Sequence, residues 1–336
     1  MLKGVAILLM LFLHLFNRLG NVSLCHNLIF LGDEPLAYIL SRAANPVAFF
    51  LILGGYGLFK VNEREDRHRW SRLCKLMAHY WLILAIFLTI GHLMRPDRYP
   101  GSAIELAQNV AATATTYNGE MWFLFPYLVL SICARPLFRF YARFNAVTIV
   151  LATLFIYLCT SFCISRYGAQ YLYNNHWIYN PLLVFHLLFS FSLGAMAARE
   201  RWFERISHRL SGVGRWRAGI AWGGVIVLVS IQCVFKYNFF YAFLIIALLN
   251  SLNIWQPART LLIKLGDNSM NMWMIHSWFC YYLFRDFIYS FSYPLLIFIV
   301  LTVISYVCSL AVNVIAKPLD QIITSRLSTS ATTNRK

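Results

Sequence analysis

Residues 293–316 read YPLLIFIVLTVISYVCSLAVNVIA, without one Asp, Glu, Lys or Arg. A run of about twenty such residues, rising about 1.5 Å each as a helix, crosses the hydrocarbon core of a bilayer. The same reading repeats upstream, at 2–19, 36–59, 76–93, 121–140, 146–164, 179–198, 218–235, 239–255 and 269–291, with short polar strips between. The 336-residue chain is 60% hydrophobic and 12% charged, against about half apolar and a quarter charged in a soluble domain. The pattern predicts an all-α polytopic membrane protein, a bundle of about ten transmembrane helices, and excludes two soluble domains. The membrane domain is expected over 1–317, with a flexible cytoplasmic tail at 318–336.

Charge predicts the orientation. Lys and Arg number 29 against 13 Asp and Glu, a net +16. With ten spans, 22 of the cations fall on the side of the N-terminus and seven on the other, which places both ends in the cytoplasm. Two strips on that side, 60–75 (KVNEREDRHRWSRLCK) and 199–217 (RERWFERISHRLSGVGRWR), hold six cations each. Strips this short suit anionic lipid and leave no room for a nucleic-acid-binding domain. The opening Met1-Leu2-Lys3 and its apolar run resemble a signal peptide, but lack a small-x-small cleavage site and carry His14 and Arg18, so a retained first helix is expected. None of the eight cysteines forms a CxxC pair; Cys159 and Cys163 lie one helical turn apart without further ligands. Neither a disulfide framework nor a metal site is expected.

Ionisable groups inside apolar runs are costly in lipid, so each is a functional candidate. His14 follows Lys3 by eleven residues, roughly 16 Å and close to three helical turns. A cation at the inner mouth and a deeper imidazole on one face could line a channel; a histidine bonded to a neighbouring helix fits as well. Arg42 precedes Asn45 and Pro46 in the outer half of the second span. It needs an acceptor, for which Glu120 and Asp286 are candidates, or it snorkels to the interface. Gly54-Gly55-Tyr56-Gly57 permits close helix contact or a break. His79, His92 and His186 have no partner at motif spacing and read as structural. Ser269, Trp273 and His276, at spacings of four and three, share one helix face, as an interhelical hydrogen-bond stripe or as part of a site. There is no P-loop, GxSxG elbow or HExxH helix.

Several of these stretches, taken in order, resemble the acyltransferase-3 group of integral membrane O-acyltransferases. Lys3 through His14 is similar to the family's first-helix Arg followed by His eleven positions later. Ala48-Phe49-Phe50 through Gly54-Gly55-Tyr56 resembles its second-helix motif, 69–80 its Arg-rich start of the third helix, and Met121-Trp122-Phe123-Leu124 its Trp-Phe-Leu segment. Gly266, Ser269, Trp273 and His276 resemble its Gly-x-x-Ser and Tyr-x-x-His pattern, and 191–198 its Phe-x-x-Gly span. The chain departs from the pattern with Lys3 for Arg, Gly54 for Ser and Trp273 for Tyr; Tyr127 stands where some branches carry Glu.

The resemblance implies transfer of an acyl group, usually acetyl, from cytosolic coenzyme A thioester to a sugar hydroxyl beyond the membrane. Acetyl-CoA would be the donor, with no bound cofactor. Lys3, Arg69, Arg72 and Lys75 would receive its phosphates. His14 would serve as base or transient acyl carrier, with Glu120 as a second catalytic group. Arg42, Tyr56, Trp122, Ser269, Trp273 and His276 would line the substrate channel. Tyr171, Tyr173, Asn174, Asn175 and Trp177 are placed to meet a glycan or to form an interfacial belt. The expected acceptor is a cell-surface or lipid-linked glycan, and the expected location the cytoplasmic membrane of a bacterium. A multi-pass transporter or flippase, with Lys3, His14 and Arg42 along an anion path, is the competing reading. A glycan polymerase is disfavoured, because no outer loop exceeds about thirty residues.

Overall fold

The structure, a computed structural model, describes residues 1–63, 69–235 and 239–333; the side chains of Arg69 and of residues beyond 327 also lie outside the described residues. Thirteen helices carry the description: α1 (Leu2–Phe16), α2 (Pro46–Asn62), α3 (Arg69–Met94), α4 (Ala103–Val110), α5 (Leu124–Tyr141), α6 (Ala146–Tyr167), α7 (His176–Arg199), α8 (Trp202–Ser211), α9 (Arg217–Val234), α10 (Tyr241–Asn250), α11 (Gln256–Asp267), α12 (Ser269–Ser277) and α13 (Pro294–Thr333). Among the described residues, sheet is limited to a two-residue antiparallel pair, Phe30–Leu31 with Glu34–Pro35.

Among the described residues, seven helical stretches are long and apolar enough to cross a membrane, and α1 and α10 are shorter apolar helices. The multi-pass, all-α expectation is met at that level. The expected ninth span, 269–291, is not one helix. α11 ends at Asp267, α12 restarts at Ser269, a wide π-type turn follows at Trp278–Tyr282, and a short helix Arg285–Tyr289 ends the segment. The break is tolerated because side chains satisfy it. Asn268 Oδ1 accepts from Ser309 and Asn313 of α13 at 2.9 and 2.8 Å, and its amide donates to the Lys264 carbonyl. Asn271 donates to Asn313 and lies 2.9 Å from His79 of α3, whose far nitrogen meets Asp320.

Two further boundaries differ from the sequence reading. The strip 60–75 was expected as loop, yet from Arg69 onward it forms the first turns of α3. Arg72 and Lys75, three apart, thereby share a helix face. The second apolar run contains a break at 42–45: Pro46 sits in the first turn of α2, and Asn45 caps it, accepting from the Ala48 amide. Proline suits that position, where its missing N–H costs nothing.

Two close approaches hold the bundle around α1 and α2. A side chain at Gly55 would strike the backbone of Phe191, and one at Gly194 the backbone of Ile52. α2 and α7 therefore touch main chain to main chain, the small-residue contact that stands in for hydrophobic drive in lipid. Likewise Gly4 abuts the backbone of Leu262, and Gly266 faces Lys3 and Gly4. That crossing brings the start of α1 against the end of α11 and puts Lys3 beside α12.

Candidate active site

A cavity of about 490 Å³ opens between α1, α2, α3, α5 and α12. Lys3, Arg72 and Lys75 contribute its cationic groups, Ser269 and Ser131 its hydroxyls; Phe50, Leu53, Met270 and Trp273 belong to a mostly apolar wall. Of the residues expected to hold a donor, three of four thus share one space, and the fourth, Arg69, has its side chain outside the described residues. Tyr127 and Gly54, two of the departures from the family pattern, meet in this wall: a Cβ on Gly54 would sit 3.4 Å from the Tyr127 ring. That is ordinary van der Waals contact, so a methyl group at 54 would fit against the phenol at 127.

At one end of the cavity stand Phe123 and Trp273, rings 5.5 Å apart. Beyond them lies a polar cluster. His14 Nδ1 is 3.4 Å from Glu120 Oε2, and its ring centroid is 5.0 Å from that of His276. The Tyr281 hydroxyl donates to the His14 carbonyl and lies 3.4 Å from Nδ1. Arg18 stands 3.7 Å from the Glu120 carboxylate and 4.5 Å over the Tyr281 ring. His14 is only 9% exposed, whereas the Arg18 side chain is 61% exposed, so the cluster is deep at the imidazole and open at the guanidinium. The His14 ring thus has a carboxylate, a phenol and a second imidazole as neighbours.

Each partner arrives by a local device. Glu120 sits in the tight turn Gly119–Phe123, opened by Asn118, whose side chain accepts from the Glu120 amide. That turn is clamped to the end of α12: Ser277 donates to Asn118 at 2.8 Å, and the Gly119 amide donates to the Tyr282 hydroxyl at 2.8 Å. His276 is fully buried, and its Nδ1 lies 2.7 Å from the carbonyl of Trp273, one turn earlier. A carbonyl only accepts, so Nδ1 carries the proton.

Other expected channel residues lie elsewhere. Arg42 pairs with Glu34 and stacks 4.7 Å over Tyr38, so its partner is neither Glu120 nor Asp286; the break at 42–45 turns it toward the hairpin at 30–35. Tyr56 donates to Glu204 of α8 at 2.8 Å and is not in the cavity wall. Trp122, half-buried against Phe123, does not line the cavity either. His92 and His186 have local partners, the Tyr99 carbonyl for one and Thr160 and the Tyr157 ring for the other.

Arg18 and Tyr281 were missed as site residues. Arg18 lies past the end of α1 with an extended backbone, so helical spacing from His14 did not place it. Nor did spacing place Tyr281: five residues past His276 a regular helix turns about 500°, which points it about 140° away. The π-type turn takes five residues to one hydrogen-bonded turn and restores it to the same side.

Over residues 1–314 the chain matches the model of the acyltransferase-3 family, described as an acyltransferase domain. Neither the curated proteins nor the solved structures yield a significant match.

Proposed function

Because the chain belongs to the acyltransferase-3 family, we propose that it moves an acetyl or similar acyl group from acyl-CoA to a hydroxyl of a cell-surface or lipid-linked glycan at a bacterial cytoplasmic membrane. The observation that carries this reading is the adjacency of two unlike spaces. A cation-bearing cavity has Phe123 and Trp273 in its wall, and a His–Glu pair adjoins that wall through His276, which bonds the Trp273 carbonyl and faces His14; Arg18, past the end of α1 opposite Lys3, is the exposed member of that cluster. The cavity has the properties a donor needs: fixed positive charge for phosphates and an apolar wall for the thioester arm. With the Lys3 end cytosolic, as the cation distribution supports, donor and acceptor approach from opposite faces.

In this reading the proton on His14 Nδ1 faces Glu120, which leaves Nε2 with a lone pair. Nε2 takes the proton of the acceptor hydroxyl as its oxygen attacks the thioester carbon. The C–S bond breaks, the thiolate of coenzyme A departs, and the proton leaves by way of His14. Glu120 stabilises the imidazolium meanwhile, as a carboxylate does beside a catalytic histidine. Purified protein incubated with radiolabelled acetyl-CoA and envelope glycan tests the assignment. Label should enter the glycan with the native chain and not with His14→Ala that still folds in the membrane. Undiminished transfer by that variant removes His14 from the mechanism, and uptake of an intact solute without label transfer would replace the enzyme by a transporter.

A further inference from the structure

His276 is unused by the mechanism above, yet its surroundings are unusual for a structural histidine. It is 0% exposed, and its Nε2 has no hydrogen-bond partner among the described residues. A buried polar atom left unpaired carries a desolvation cost of about 1–3 kcal/mol, and native structures keep few of them. Because the Trp273 carbonyl holds the proton on Nδ1, Nε2 is a bare lone pair: an acceptor, and a nucleophile. Trp273 itself forms part of the cavity wall. His276 follows it by three residues, about 4.5 Å along the axis. On its other side the ring faces His14 at 5.0 Å.

We infer that His276 Nε2 is the acyl carrier, standing between the donor cavity and the His14 base. This rests on the acyltransferase reading and replaces its direct attack on the thioester with two steps. In the first, Nε2 attacks the thioester carbonyl once the Trp273 indole swings aside. The N–C bond forms, the C–S bond breaks, and coenzyme A leaves as thiolate. The imidazole, still protonated at Nδ1, becomes an acyl-imidazolium whose positive charge rests against the Trp273 carbonyl. In the second, the acceptor hydroxyl attacks that acyl carbon while His14 takes its proton. The N–C bond breaks, and Nε2 recovers its lone pair. Nothing besides donor and acceptor is consumed. The acyl group thus crosses the Phe123–Trp273 wall on the protein, and the two substrates never share one space.

A carrier allows exchange between acetyl-CoA and free coenzyme A with no acceptor present, which direct transfer does not. Purified full-length protein in lipid nanodiscs is incubated with acetyl-CoA and isotopically labelled coenzyme A. Label should enter acetyl-CoA with the native chain and with Cys280→Ser, which alters the buried thiol of the π-type turn, and should fail to enter with His276→Gln. Native protein that acetylates glycan but shows no exchange overturns the carrier and leaves the acyltransferase reading standing. Protein that does neither removes both. Exchange that survives His276→Gln, or is lost in a folded Cys280→Ser, moves the carrier to another residue. Where His276→Gln does not fold, mass spectrometry of the native chain held with acetyl-CoA alone decides: an acetyl mass on the peptide bearing His276 supports the carrier, and no acetyl mass there overturns it.

Discussion

Among the described residues, Glu120 is the one carboxylate paired with His14, and Arg18 competes for it from an exposed position. An exposed guanidinium contributes little to an ion pair, so the His14–Glu120 contact is expected to dominate. Glu120→Gln keeps the shape and removes the charge that steadies a protonated His14. Acyl transfer by that variant should fall in kcat by about a hundredfold, the lower scale of general acid–base assistance, with little change in the KM for acyl-CoA. Steady-state kinetics with glycan saturating checks this, and a KM effect larger than the kcat effect would place Glu120 in donor binding instead. The motif residues Lys3, His14, Ser269, Trp273 and His276 were legible because helical spacing alone puts them on common faces. Arg42 and Tyr56 lie outside the cavity wall because the partners that hold them, Glu34 and Glu204, lie on other segments, and spacing carries no information about those.

At the scale of elements, α2 and α7 meet through Gly55 and Gly194 with no room for a Cβ. Gly194→Val should force the helices apart. Overpacking of this kind costs about 1–3 kcal/mol, and a lower thermal midpoint in detergent would show it. Gly57→Ala, where a Cβ meets nothing, is the control and should leave the midpoint unchanged. The broken segment α11–α12 and the π-type turn after it could not be read from an apolar run. Hydropathy at 269–291 is the same whether the helix is continuous or broken. What breaks it is the set of hydrogen bonds that Asn268 and Asn271 make to α13 and α3, and those exist only once the bundle is assembled.

Taken whole, the molecule gathers Lys3, Arg72 and Lys75 around one cavity and sets His14 and His276 next to the Phe123 and Trp273 rings of its wall. Arg72 and Lys75 come from one face of α3, Lys3 from α1. Replacing Arg72 and Lys75 together by Gln should raise the KM for acetyl-CoA about tenfold or more, given charge-assisted bonds of about 1.5–3 kcal/mol each. The KM for glycan should move little; equal effects on both would argue against a donor mouth there. The family assignment drawn from short motifs agrees with the match over residues 1–314. The sequence by itself determined that this is a multi-pass helical membrane protein of that family, because apolar run length and motif order are properties of the chain alone. Only the tertiary structure decided which candidates meet. The His14–Glu120–His276–Tyr281 cluster draws on three separate segments, and contact between segments depends on crossings at glycines, on a helix break and on a widened turn. None of these leaves a periodic mark in the sequence.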